Sequence, residues 1–325
     1  MFKRLTATAA LLILAQVVPS RAAELKDFPA QTHWILSVDV KAAHASPLMN
    51  ALADKIDAKK RKDAENKLAA VKAAFGVDLL KDIEHIVIAG NGNAEKGGVA
   101  YVYGTFDTPR LTTILTAAEG FESTNHNGVA VMSWIDEKDK KPKSLCFAKP
   151  GLALISNTRA TLIDALDVLG GKKAGLQAGS PLSAAIVRNA QNLLTLQACD
   201  VSAIVGAAPK AEALKQAETL SLCVRTPNAD TLDAELSVTA TSEATALQIQ
   251  QALLGIQAIA LLRAAEAPQP ATLAQQAKIA CNGRSVGVKM TLPKELIELA
   301  ISVREAKQEE NAAAPAPAVP AAKPL

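Results

Sequence analysis

The stretch Ile83–Phe106, IEHIVIAGNGNAEKGGVAYVYGTF, decides the fold of this chain. It begins with a β-branched run over 86–88 and ends where Val99, Tyr101 and Tyr103 alternate with smaller residues. Glycines and asparagines fill the space between these segments, and such residues allow positive φ angles and sharp turns. The pattern predicts a β-hairpin, two antiparallel strands joined by a loop.

Helices are predicted on both sides of this hairpin. Ser46-Pro47 is typical of a helix start, and this helix runs to Phe75 with one break. Asp107-Thr108-Pro109 predicts the next helix, and alternation over 34–40 predicts a preceding strand. Strand, helix, hairpin, helix, strand is the order of a split β-α-β unit. Because this order recurs in the second half, we predict an α+β protein with two split β-α-β (ferredoxin-like) units, their antiparallel sheets backed by helices.

The chain of 325 residues is long enough for two such units. Four predicted segments follow from the changes in composition: a signal peptide over 1–22, a first α+β unit over 30–175, a second over 176–309, and a disordered alanine- and proline-rich tail over 310–325. In the second unit we expect helices over 181–197 and 243–265.

The first 22 residues predict export to the periplasm or the extracellular space. Lys3 and Arg4 precede an apolar run over 5–18, and Ser20-Arg21-Ala22 is typical of a cleavage site. The run has about 14 apolar residues, fewer than the ~20 that span a bilayer. We therefore expect cleavage and a mature protein that is not transmembrane, with a retained N-terminal anchor as the alternative.

Charge argues against nucleic acid as a partner. The whole chain has 35 basic and 32 acidic residues, and loss of Lys3, Arg4 and Arg21 with the signal peptide leaves 32 of each. A neutral mature chain lacks the positive field that nucleic acid binding requires.

The sequence contains no recognised catalytic, cofactor or metal motif. The four histidines, His33, His44, His85 and His126, have no paired-ligand spacing, and His85 is expected to face solvent or a backbone group. The glycine-rich loop over 90–98 lacks the Gly-Lys-Ser/Thr ending of a phosphate loop. Serine nucleophile motifs are also missing. We predict no catalytic residue, no cofactor and no metal.

One charge cluster is a candidate site for a polyanion, such as an envelope polymer or lipid headgroups: Lys55, Lys59, Lys60, Arg61 and Lys62. The alternative is the solvated face of a long helix, because Asp54, Asp57, Asp63 and Glu65 are interspersed at helical spacing.

The four cysteines are Cys146, Cys199, Cys223 and Cys281. Because most of them fall in alternating segments, buried free thiols are expected. Export also permits disulfides, so a bridge from Cys199 or Cys223 to Cys281 is the alternative.

The helix predicted over 243–265 has enough leucine and isoleucine to suggest a membrane span, but glutamines interrupt it. We expect a buried helix that covers a sheet, with an apolar stripe that could line a cavity.

Four segments resemble a loose group of exported bacterial α+β proteins of unknown function: His33–Asp39, Ser46–Leu48, Gly76–Ile83 and Leu162–Leu166. The resemblance covers about residues 30–170. Its motifs are a strand, a helix cap and a helix stop, so it implies a fold and carries no activity or site residue.

These observations predict a non-enzymatic exported envelope protein that acts by binding or scaffolding. A carrier for an apolar small molecule or lipid, held between sheet and long helix, is the second hypothesis. A hydrolase with an unrecognised site is the third. The expected partner is an envelope protein or an apolar ligand.

Overall fold

The computed structural model describes residues 23–92, 98–187, 189, 191–201, 215–265 and 268–302. The predicted signal peptide and the predicted tail lie outside these residues. The described chain contains both helices and an antiparallel sheet, which confirms the α+β class.

The strands of the described chain are β1 Trp34–Asp39, β2 Ile83–Gly90, β3 Gly98–Gly104, β4 Glu122–His126, β5 Val129–Ile135, β6 Pro142–Lys149, β7 Leu152–Ser156, β8 Asn192–Cys199, β9 Ala217–Arg225, β10 Thr231–Ala240, β11 Lys278–Asn282 and β12 Ser285–Pro293. The helices are α1 Val40–Ala45, α2 Pro47–Ala53, α3 Ala58–Phe75, α4 Thr108–Leu115, α5 Arg159–Leu169, α6 Glu243–Leu262 and α7 Pro268–Gln276. Two short 3₁₀ turns cover Leu25–Asp27 and Ser183–Ile186, and residues 294–302 are also helical.

These strands form one sheet of 12 strands in the order β11-β12-β10-β9-β8-β1-β2-β3-β7-β6-β5-β4. β1 lies between the two halves of the chain and pairs antiparallel with both β2 and β8. Leu36, for example, lies opposite Ile88 on one side and Leu196 on the other. The backbone hydrogen bonds of β1 therefore join the two halves into one sheet.

The predicted hairpin is confirmed. β2 and β3 pair antiparallel from Gly90 opposite Gly98 to Ile83 opposite Gly104. The strand predicted over 34–40 lies beside it as β1. The Trp34 indole Nε1 also donates a hydrogen bond to the Gly92 carbonyl oxygen at 2.7 Å, which fixes the start of β1 against the hairpin loop.

The two ferredoxin-like units are not confirmed. In a split β-α-β unit the helix joins two parallel strands that have another strand between them, whereas β1 and β2 are direct antiparallel neighbours in this sheet. The connection between β1 and β2 shows why: α3 has no buried residue and does not pack across the sheet as a crossover helix does. The chain therefore returns antiparallel next to β1.

Strand order is the same on both sides of the central pair. Outward from β1 the order is β1-β2-β3-β7-β6, and outward from β8 it is β8-β9-β10-β12-β11. The first half adds the hairpin β4–β5 at its edge. This is the arrangement that two copies of one unit would produce when their first strands pair.

The helix predicted over 181–197 is wrong. Among the described residues of this segment, Ser183–Ile186 forms a 3₁₀ turn, and Asn192–Cys199 forms the central strand β8. Its side chains alternate between the two faces, with Leu193, Thr195 and Gln197 buried. Pairing with β1 and β9 on both edges outweighs the local preference of a leucine-rich segment.

The predicted helix starts are confirmed by their caps. Ser46 Oγ accepts a hydrogen bond from the Met49 N–H at the start of α2, and Gly76 ends α3 with φ of 70°. Within the helical segment predicted from Ser46 to Phe75, α2 buries Leu48 and Leu52, whereas α3 buries no residue. Phe75 at the end of α3 is exposed.

Two apolar clusters form the described core. The first lies over the first half of the sheet and includes Phe28, Tyr101 and Leu162, with the Phe28 and Tyr101 ring centroids 4.8 Å apart. The second is smaller and includes Val238, Ile249 and Val286, so it joins α6 to β10 and β12.

The four cysteines are free thiols. The alternative bridges are excluded because three strand intervals separate β9, with Cys223, from β11, with Cys281. Cys199 on β8 lies one strand farther from Cys281. Three intervals place the Cys223 and Cys281 Cα atoms about 14 Å apart, well beyond the reach of a disulfide at about 7 Å. Burial raises the pKa of the Cys146 thiol to about 12 and keeps it protonated.

At Gly104, at the end of β3, a close approach of two backbone segments requires glycine. A Cβ there would lie 2.2 Å from the Asp82 carbonyl oxygen. The Asp82 carbonyl oxygen accepts a hydrogen bond from the Thr105 N–H, and the Gly104 N–H donates to the Gly151 carbonyl oxygen. These bonds hold the two backbone segments together, so neither can move away from an added Cβ. We expect Gly104→Ala to lower the free energy of unfolding by about 1–3 kcal/mol in urea denaturation.

Gly287→Ala is the matched control, since a Cβ on this strand glycine meets nothing within 4 Å. It should change stability by less than about 1 kcal/mol. Equal stability of the two variants would contradict the close approach at Gly104.

Candidate functional site

α6 exposes a continuous apolar surface at one end of the sheet. Only 11% of its most apolar 18-residue window is buried, although its mean hydropathy is 1.4. We call the exposed large side chains the α6 face: Leu247, Leu254, Ile256, Ile259, Leu261 and Leu262. The expectation of a buried helix is therefore wrong for most of α6.

The first turns of α6 hold it on the sheet. Ser242 Oγ caps the helix by accepting from the Thr245 N–H at 3.1 Å. Ala246 and Ile249 are buried and pack with Val238 of β10. Beyond Ile249 no residue of α6 is fully buried, so the second half of the helix extends past the cluster that anchors the first.

α7 supports this extended half. The Gln257 amide Nε2 donates to the carbonyl oxygens of Ala274 and Ala277 at 2.7 and 2.9 Å. Gln257 is the only polar residue between 252 and 262. Because its amide N–H groups are bonded to the segment that ends α7, the outward surface of this half of α6 is apolar.

The polyanion candidates lie at the start of α3 and just before it. Arg61 is within 3.3 Å of Asp54 and 3.9 Å of Glu65, and Lys55 is 4.0 Å from Glu298. Lys59, Lys60 and Lys62 occupy the same first turns. Such exposed pairs contribute about 0–1 kcal/mol each. These acids reduce the net charge of the cluster, as the solvated-face alternative expects, and the polyanion site stays a prediction.

A cleft of about 440 Å³ lies where α5 ends, between that helix, the β4–β5 turn and the end of β6. We call it the α5 cleft. Its apolar side chains are Val129, Ala148, Leu166 and Leu169, and all four pack in or against the first core cluster. No motif in the sequence indicates this cleft, because its residues come from segments far apart in the chain.

A polar network adjoins the cleft. His126 Nε2 lies 2.7 Å from Asp167 Oδ1, and Asn127 Nδ2 donates to the same oxygen at 3.1 Å. An ionised carboxylate only accepts, so the histidine donates through Nε2–H. Lys173 Nζ lies 3.4 Å from Asp167 Oδ2. The histidine bond, together with Lys173, lowers the pKa of the Asp167 carboxyl group below its ordinary value.

His85 is buried, so the expectation that it faces solvent is wrong. Its Nε2 lies 2.7 Å from Ser37 Oγ, and its ring stacks on Tyr103 with centroids 5.8 Å apart. A signal was present in the sequence: His85 alternates in phase with Ile83 and Val87, which are buried on the same face. A small crevice of about 10 Å³ borders the pair.

No cluster of three or more metal-ligating side chains occurs among the residues that the structure describes. His33, His44, His85 and His126 lie in different parts of the fold. The cysteines are likewise spread over β6, β8, β9 and β11.

Asp167 predicts a dependence of stability on pH. A folded-state pKa below the unfolded value means that the group stabilises the fold above the unfolded pKa of about 3.9 and loses this effect as pH falls through the folded pKa. Urea unfolding should therefore show Asp167→Asn less stable than the unmodified chain near neutral pH. The difference should shrink below about pH 4. A difference that stays constant down to about pH 2.5 would contradict the ion pair.

No family model matches the chain, and no curated protein matches it. Among solved structures, two crystal forms of TP0453 are similar to it. Form IV has a TM-score of 0.47 with 11% sequence identity over 87% of this chain and 97% of that one. Form I has a TM-score of 0.47 with 10% identity over 87% of this chain and 98% of that one.

Proposed function

We propose that this chain is an exported, non-enzymatic protein of the cell envelope that attaches to a lipid surface through the α6 face. The observation that carries the proposal is a 20-residue helix that is apolar enough to enter a membrane yet only 11% buried in its most apolar window. A contiguous apolar surface of this kind is typical of an interaction site.

The composition of α6 supports a lipid partner over a protein partner. Protein interfaces are enriched in aromatic residues and arginine, and α6 has neither. From 244 to 262 the exposed side chains are leucine, isoleucine, alanine and glutamine, and this stretch has no charged residue. Acyl chains accept such a surface without fixed pockets, whereas a protein partner needs matching shape.

The length of the apolar half supports insertion into one leaflet. Residues 252–262 extend about 16 Å at 1.5 Å per residue, and half of a ~30 Å hydrocarbon core is about 15 Å. Polar residues before this half, such as Gln248 and Gln251, would stay at the headgroups. The helix would thus enter one leaflet end-on without crossing the bilayer.

Predicted export agrees with this assignment, since it would carry the mature chain to the membranes of the envelope. The predicted alternative, a carrier between sheet and long helix, has less support. The crevice lined by Leu273, Leu296 and Leu299 beside α7 encloses about 10 Å³, room for about one water molecule. For the hydrolase hypothesis, His126 borders the α5 cleft, but the cleft lining includes no serine, threonine or cysteine.

Vesicle flotation tests the proposal. The chain from residue 23 should float with phosphatidylcholine vesicles, and the triple variant Ile256→Gln, Ile259→Gln, Leu262→Gln should not. These side chains are 65%, 55% and 86% exposed, so their replacement leaves the core intact. Each contributes about 1.5–3 kcal/mol on full burial, so the partition coefficient should fall at least about 100-fold.

Leu79→Gln with Leu80→Gln is the matched control, because these leucines are 40% and 43% exposed outside α6. This variant should float like the unmodified chain. Equal flotation of the triple variant would contradict the proposal, and so would a dimer that the triple variant converts to monomers. The second result would assign the α6 face to another copy of the chain.

A further inference from the structure

The α5 cleft has features of a built ligand site. Residues 148 and 149 both line it, although consecutive residues of a regular strand point to opposite faces. The register with β7 explains this: Phe147 lies opposite Ala153 and Lys149 opposite Leu152, so β6 has one extra residue. Such a bulge redirects a side chain, and here it brings Lys149 to an apolar cleft.

The opposite wall has a similar irregularity. Asn127 in the β4–β5 turn has φ of 56°, and both it and His126 line the cleft. The Lys172 ammonium group donates to Asn127 Oδ1. The Asp167 carboxylate already accepts hydrogen bonds from His126 and Asn127.

The charged side chains that line the α5 cleft are positive. Lys149 and Lys172 line the cleft and no carboxylate does. Within the described chain, the Lys149 side chain makes no hydrogen bond or ion pair, although it is half-buried. Carbonyl oxygens at the end of α5 carry partial negative charge, but those of Leu166, Asp167 and Val168 accept backbone N–H groups from residues 170–172.

We propose that the α5 cleft binds an amphiphilic carboxylate, with its apolar chain against Val129, Ala148 and Leu166 and its carboxylate between Lys149 and Lys172. The volume of about 440 Å³ lies within the range of small-molecule sites, about 300–1,000 Å³. An apolar floor with a few polar groups at one side is typical of such sites. The carboxylate of the ligand gives the Lys149 ammonium group an ion-pair partner. The apolar chain of the ligand covers apolar surface of the cleft that is otherwise open to water. This site is independent of the α6 face.

Calorimetric titration tests the site with three probes: decanoate, 1-decanol and propionate. The titrations use the α6 triple variant described above, so that binding to the α6 face cannot contribute. Decanoate should bind with one molecule per chain. 1-Decanol lacks the charge and propionate lacks the chain, so each should bind at least about tenfold more weakly.

Two cleft variants and a control locate the binding. Lys149→Gln with Lys172→Gln should weaken decanoate about tenfold or more and leave 1-decanol unchanged. Ala148→Phe should fill the cleft and abolish binding of both, with circular dichroism to check its fold. Lys138→Gln with Lys141→Gln, two exposed lysines in the β5–β6 loop, is the control and should bind decanoate normally.

Absence of decanoate binding in the triple variant would overturn the site. Equal losses in the cleft and control lysine variants would also overturn it, because they would indicate only a general effect of charge. Failure of vesicle flotation would leave the result unaffected, since that assay reports the α6 face alone.

Discussion

The backbone ladder on both edges of β1 is the constraint on which this structure depends. β1 has six residues, and it donates and accepts hydrogen bonds toward β2 on one side and β8 on the other. Either half of the sheet would otherwise present an edge strand with unpaired backbone groups. Because the first strand of each half covers the edge of the other, the two halves share one sheet of 12 strands.

This arrangement places the two candidate sites in different halves. α6 packs on β10, β11 and β12, and its second half extends beyond the small cluster around Val238 and Ile249. The α5 cleft lies in the other half, where α5 packs on β6 and β7 and the bulge in β6 turns Lys149 inward. A site for apolar surface and a site for an amphiphilic anion thus share one framework without sharing a residue.

Local patterns in the sequence predict the elements that are bounded by glycine turns or by helix-capping residues. Alternation and glycines identified β1, β2 and β3, and side-chain caps identified the starts of α2 and α4. The sequence predicts a helix over 181–197, and pairing with β1 and β9 makes the part from Asn192 onward a strand. Sheet order was beyond prediction for the same reason, since it depends on contacts between residues far apart in the chain.

The sites show the same limit. Hydropathy identified α6 as unusually apolar, but its exposure depends on how far the second half of the sheet extends beneath it. His126 and Asp167 are 41 positions apart, and no spacing rule joins them. The basic cluster over 55–62 was visible in the sequence, as were the acids that pair with it. His85 could have been placed in the core from its phase with Val87.

The central claim is that β1 and β8 pair and make one sheet from the two halves. Amide–amide nuclear Overhauser effects in the deuterated protein test it most directly. The structure predicts cross-strand signals between 34–38 of β1 and 194–198 of β8, together with those from β1 to β2. Signals from β1 to β2 alone, with none to β8, would contradict the account.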